Sequence, residues 1–133
     1  MKKNQLLKIG LMAALLAFGS GCVLFVAGAL AAGGVAGYSY VNGELKVTAG
    51  ATVNQAYDAS LSAMSDLQFT VASKSHDALV GEIDARNSAN TAITIKLKYV
   101  SNTATEIRIR VGTFGDEAMS NMILDKIKSH LQS

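Results

Sequence analysis

At 133 residues the chain is long enough for one domain with a modest hydrophobic core. It carries 12 basic and 10 acidic residues, a formal net charge of +2, but Lys2, Lys3 and Lys8 lie at the extreme N-terminus. Without them nine basic residues meet ten acidic ones, a balance near −1 that excludes the broad basic footprint of a nucleic-acid binder. A single cysteine excludes an internal disulfide and any C-x-x-C redox or zinc pattern, so packing must hold the fold.

Lys2 and Lys3 precede, and Lys8 lies near the start of, an apolar run, LLKIGLMAALLAF, that ends in Gly19-Ser20-Gly21 directly before Cys22. A cationic start, an apolar middle and a small-residue end make up a secretory signal. With the lone thiol immediately after the small residues, the stretch resembles a bacterial lipoprotein signal, in which the cysteine is lipidated and becomes the new N-terminus. Residues 1–21 would then be the signal and Cys22 the lipidation site. A second reading stands beside it. No charge occurs between Lys8 and Glu44, a span longer than the roughly 20 residues that cross a bilayer, so the run also fits an uncleaved anchor. The positive-inside rule would place the rest of the chain on the far side of the membrane in either case. In a third reading Cys22 is only a small apolar residue within a helix.

Residues 22–37, made largely of Val, Leu, Ala and Gly, read as an apolar tether to a domain covering 38–133. Gly33 and Gly37 form a small-xxx-small pair that would let two helices approach closely, a possible route to self-association. From Tyr38 alternation begins: Glu44, Lys46 and Thr48 are polar while Leu45, Val47 and Ala49 are apolar, the period of a half-buried strand. Thr52 and Gln55 have the spacing of a capping box. Behind them Val53, Ala56, Tyr57, Ser60, Leu61, Met64 and Leu67 form one helical stripe.

Four more alternating runs follow. Phe69 and Val71 oppose Thr70 and Lys74, with a turn at 75–77. Leu79, Gly81, Ile83 and Ala85 point inward against Glu82, Asp84 and Arg86. After the turn at 87–90, Ile93, Ile95, Leu97 and Tyr99 oppose Thr94, Lys96 and Lys98. After that at 101–104, Ile107, Ile109 and Val111 oppose Glu106, Arg108 and Arg110. Short polar connections between such runs predict an antiparallel meander with one apolar and one charged face. A last helix starts at Asp116 as cap, with Met119, Ile123, Ile127 and Leu131 in one row. The order β-α-β-β-β-β-α predicts an α+β two-layer sandwich: a five-stranded antiparallel sheet with two helices on its apolar face.

The segments YSYVNGEL (38–45), ALVGEIDAR (78–86), ITIKL (93–97) and IRIRVGTFGDEAMSNMILDKI (107–127), above all the FGDE run, carry a resemblance across the whole mature stretch. They resemble a family of small Gram-negative bacterial lipoproteins catalogued only as a domain of unknown function. That resemblance implies a periplasmic, membrane-tethered domain and assigns it no activity. In enteric-type sorting, Val23 after the lipidated cysteine would imply the outer membrane.

Catalytic chemistry is poorly supported by the residues themselves. Ser75-His76-Asp77 holds the residue types of a hydrolase triad, but neighbouring side chains in a turn diverge, and a polar turn is the ordinary reading. His76 and His130 lack further ligands for a metal site. Gly112 and Gly115 before the last helix look like a phosphate cradle, yet Asp116 and Glu117 would repel an anion there. No catalytic residue, cofactor or metal is therefore expected. Phe114 either plugs the core edge, the favoured reading, or stands exposed for a partner.

The charged sheet face remains as a partner surface, with Glu82, Lys96, Arg108, Arg110 and Phe114 as its candidate residues. If Lys98 faces Glu106, then Lys96 falls opposite Arg108 and Glu82 beside Lys96. Such a compensated face suits solvent, or a protein partner of mixed charge. The expectation is a non-enzymatic tethered domain that binds an envelope protein or itself. The alternative is a small-ligand carrier or envelope enzyme with a pocket between helices and sheet, lined by Tyr57, Met64, Tyr99 and Met122.

Overall fold

A computed structural model describes residues 30–132. Cys22, the signal or anchor reading and the first half of the apolar tether lie outside the described residues.

The domain contains β1 (Val35–Val41), β2 (Glu44–Ala49), α1 (Val53–Asp66), β3 (Thr70–His76), β4 (Val80–Arg86), β5 (Ala92–Ser101), β6 (Ala104–Val111) and α2 (Glu117–Leu131). The strands form one antiparallel sheet in the order β1-β2-β6-β5-β4-β3. The α+β class, the meander and both helices agree with the sequence reading, but the sheet has six strands rather than five. Asn42 (φ 54) and Gly43 (φ 79) form a tight turn that splits the run from Tyr38 into two strands. Positive φ at both central residues matches the right-handed twist of flanking strands, which is why Asn-Gly suits a two-residue hairpin. β1 also starts at Val35, inside the stretch read as tether.

Two bulges explain further departures. In β1 the register shifts between Ala36 and Ser39, with Gly37 at φ 69. Gly33 lies in a turn at φ 79, so the Gly33/Gly37 pair does not sit on a helix and the helix-packing route to self-association falls. In β3 the register shifts between Val71 and Ser73, so Lys74 lies opposite core-facing Ile83 instead of on the charged side. Lys74 remains exposed because β3 is an edge strand; an inward-side charge there discourages pairing with another sheet.

Both helices start as expected. Thr52 accepts from the Gln55 amide at 3.1 Å while the Gln55 side chain accepts from the Thr52 amide at 2.9 Å. Asp116 accepts from the Met119 amide at 3.0 Å. Between the layers lie Leu45, Ile83, Ile93, Ile95, Leu97, Ile107, Ile109, Met64, Ile123 and Ile127, all essentially without solvent exposure. No helix among the described residues is long and apolar enough to cross a membrane.

Candidate partner surface on the charged sheet face

Alternation along the six strands stacks the outward residues into rows. The middle row runs Ser39, Lys46, Arg108, Lys96, Glu82, Ser75 from β1 to β3. On one side lies the row Glu44, Arg110, Thr94, Asp84, Ser73, and on the other Thr48, Glu106, Lys98, Val80. Lys98 thus faces Glu106, Lys96 faces Arg108 and Glu82 lies beside Lys96, as the strand pattern predicts.

Arg108 lies between two lysines in its row and is compensated along its own strand and from β2. Its Nε donates to Glu106 at 2.6 Å, and its Nη1 lies 3.8 Å from Glu44. Lys46 reaches Glu106 from the other side at 3.7 Å. Partial burial works against ionisation of Glu106, but the hydrogen bond and charge of Arg108, with Lys46 and Lys98, outweigh it and hold the carboxyl below its ordinary value. Glu106 in turn favours the protonated guanidinium of Arg108. Asp84 accepts from the Ser73 and Thr94 hydroxyls at 3.1 and 2.9 Å. A shallow open groove of about 390 Å³ runs over this face between Glu82, Lys96, Lys98, Glu106 and Arg108.

Arg110 has a different task. Its Nη1 donates to the Asn42 carbonyl and its Nη2 to the Thr113 carbonyl, both at 3.1 Å. It therefore ties the β1–β2 turn to the loop that leads into α2. In that loop Phe114 is 93% exposed. The expectation that it plugs the core edge is wrong: at this edge the backbones of Gly43 and Gly115 pack directly against each other instead. Of the five residues proposed from sequence, Glu82, Lys96 and Arg108 share a row, Arg110 occupies the next, and Phe114 stands beyond the end of β6. Glu44, Lys46 and Glu106 complete the ion-pair set. Glu106 reaches Arg108 along β6 itself, whereas only the pairing of β2 with β6 brings Glu44 and Lys46 beside it.

The remaining motifs do not converge. Ser75 lies in register with outward Glu82, while His76 lies opposite Gly81 and stacks on Tyr57 with ring centroids 3.9 Å apart. Asp77 accepts from the Leu79 and Val80 amides at 2.8 and 2.9 Å, and these bonds hold its carboxyl below the ordinary range. His130 meets Asp66 at 2.6 Å, and no group of three metal-ligating side chains occurs among the described residues. Asp116 occupies the α2 N-terminus that an anion would need. Tyr57 and Met64 are buried, whereas Tyr99 and Met122 are 39% and 42% exposed, so these four do not line a common pocket between the layers.

A search of curated proteins gives no match. A family profile described as "Protein of unknown function (DUF3568)" matches residues 5–130, including the apolar N-terminal run, Cys22 and both layers of the sandwich. The chain belongs to that family, whose description states no activity.

Proposed function

We propose that this chain is a lipoprotein of the Gram-negative envelope, lipidated at Cys22 and held on the periplasmic side of the outer membrane, where its domain serves as a non-enzymatic binding or structural component. The observation that carries the reading is Lys2, Lys3 and Lys8 before an apolar run that closes on Gly-Ser-Gly-Cys, with no charge until Glu44. Val23 after the cysteine supports the outer membrane. The packed interior and the mixed charges around Arg108 support a role in contact with another protein rather than in turnover of a small molecule.

Lipid labelling and intact-mass measurement of wild type and Cys22→Ala test the anchor. The wild type is expected to lose residues 1–21 and gain acyl mass, and the variant to do neither. A full-length, unacylated wild type embedded in the membrane would replace the lipid anchor with an uncleaved helix. The same product free in the cell interior would end the tethered reading. Crosslinking in intact envelopes tests the binding role, which fails if neither a partner nor a second copy is captured.

A further inference from the structure

The two ends of the sheet differ. At one end a single row joins Val35, Ala49, Thr105 and Tyr99, and the Tyr99 amide donates to the Leu79 carbonyl at 2.7 Å. Just before Val35 the chain is pinned by Gly33 N–H to Gly50 O at 2.9 Å and Gly50 N–H to Gly34 O at 2.8 Å. The chain therefore runs toward its apolar N-terminus from this end. The same end carries Leu79 (59% exposed), Val80 (51%), Tyr99 (39%) and Val100 (53%), on the β3–β4 turn and the end of β5.

Cys22 and Leu30 are eight residues apart, a reach of at most about 28 Å even when fully extended. The row from Val35 to Leu79 crosses four strand spacings, about 19 Å. A lipid at Cys22 thus puts the bilayer within reach of the apolar end, while Phe114 lies past the far end of β6. Several polar groups of both connections are satisfied within the chain. Asp77 takes the Leu79 and Val80 amides, and the Tyr99 hydroxyl donates to Asn102 at 2.9 Å. Backbone satisfied internally can enter a poorly hydrated layer at low cost.

We propose that Leu79, Val80, Tyr99 and Val100 form a second, non-covalent contact with the bilayer, seating this end of the sheet in the headgroup boundary. The proposal rests on the tethered reading and adds an orientation to it: the charged face stands upright and the Phe114 end points away from the lipid. So small a patch binds weakly by itself. Tethering makes its insertion an intramolecular event, for which weak contacts suffice. A tyrosine with an apolar ring and a polar tip suits that depth.

The chain contains no tryptophan, so a single introduced one reports without background. Protein extracted from membranes as the cell processes it, carrying Leu79→Trp, Val100→Trp or Phe114→Trp, is reconstituted into phosphatidylcholine vesicles with ordinary or brominated acyl chains. Flotation is read alongside emission, and circular dichroism checks the fold. A side chain seated about 5–10 Å into the boundary should give blue-shifted emission and about twofold quenching for Leu79→Trp and Val100→Trp, with no quenching for Phe114→Trp. The two patch positions lie on separate connections, so one variant that misfolds leaves the other as a reporter. Protein that floats with unquenched, solvent-like emission at both positions overturns the orientation and spares the tether. A blue shift without bromine quenching assigns the patch to a second copy or another protein and overturns the lipid contact. Wild type that does not float overturns the tether and this inference together.

Discussion

Gly115→Ala tests how the end of the domain bearing Phe114 is held together. Gly115 has φ 85, and a Cβ there would fall 2.4 Å from Gly43 Cα, 2.5 Å from the Tyr40 hydroxyl and 2.6 Å from Gly43 O. Gly37 has φ 69 with nothing within 4 Å of a Cβ, so Gly37→Ala measures the left-handed backbone alone, roughly 1–2 kcal/mol. In Gly115→Ala the β1–β2 turn must also retreat, which strains or breaks the two Arg110 bonds to Asn42 O and Thr113 O. At about 1 kcal/mol net for each bond, the total becomes roughly 3–4 kcal/mol. Urea unfolding of membrane-extracted protein in detergent, followed by far-UV circular dichroism, reads both variants. Because the clash and the guanidinium share the same turn, Arg110→Ala should cost less in the Gly115→Ala background than in wild type. A Gly115→Ala protein no less stable than Gly37→Ala, or strict additivity with Arg110→Ala, would refute the clamp.

In the same unfolding assay, Ile109→Ala, which empties a fully buried site at the centre of the sheet, is expected to cost about 2–5 kcal/mol; a loss within error of zero would mean the interlayer packing is wrong. Thr52→Ala removes the hydroxyl half of the α1 capping box and should cost about 1 kcal/mol, with Thr52→Ser restoring most of it. The depressed Glu106 carboxyl gives stability that is complete above the unfolded glutamate value of about 4.3 and is lost as pH falls through the lower folded value. Thermal melts should therefore show wild type losing stability more steeply than Glu106→Gln on acidification below that point, and parallel curves would exclude the Arg108–Glu106 contact as a source of stability.

Much of the fold was legible because most strands obey a strict period of two. Glu82 to Arg86, Ile93 to Lys98 and Glu106 to Val111 all present the expected faces, and Thr52, Gln55 and Asp116 mark the helix starts by capping chemistry alone. The period fails where the chain adds a residue. Ala72 in β3 moves Lys74 to the core-facing register, and Gly37 in β1 puts Tyr38 toward α2, where its hydroxyl donates to Glu117 at 3.1 Å. A bulge leaves little trace in hydrophobicity because one added position reverses the sides of those beyond it. The missed sixth strand did have a signal in Asn42-Gly43 between alternating runs. Its small residues, Val-Ala-Gly, continued the apolar composition of the preceding stretch and concealed the change from tether to strand.

The charged face was legible for the same reason the meander was: neighbours in sequence are neighbours in the sheet from β3 to β6, so register follows from counting along the turns. β2 breaks that rule by pairing with β6 across most of the domain, and with it come Glu44 and Lys46. Their arrival changes what the face offers. Arg108, flanked in its row by Lys46 and Lys96, is engaged by Glu44 and Glu106, and Arg110 is committed to two backbone carbonyls. Lys96 and Lys98 form no ion pair within 4.0 Å among the described residues. A partner approaching this face therefore meets the β5 lysines and Glu82 before it can compete for the β6 arginines. Since the β6 contacts also join β2 to the meander, the face is stiff where it supports the sheet and available one strand further along.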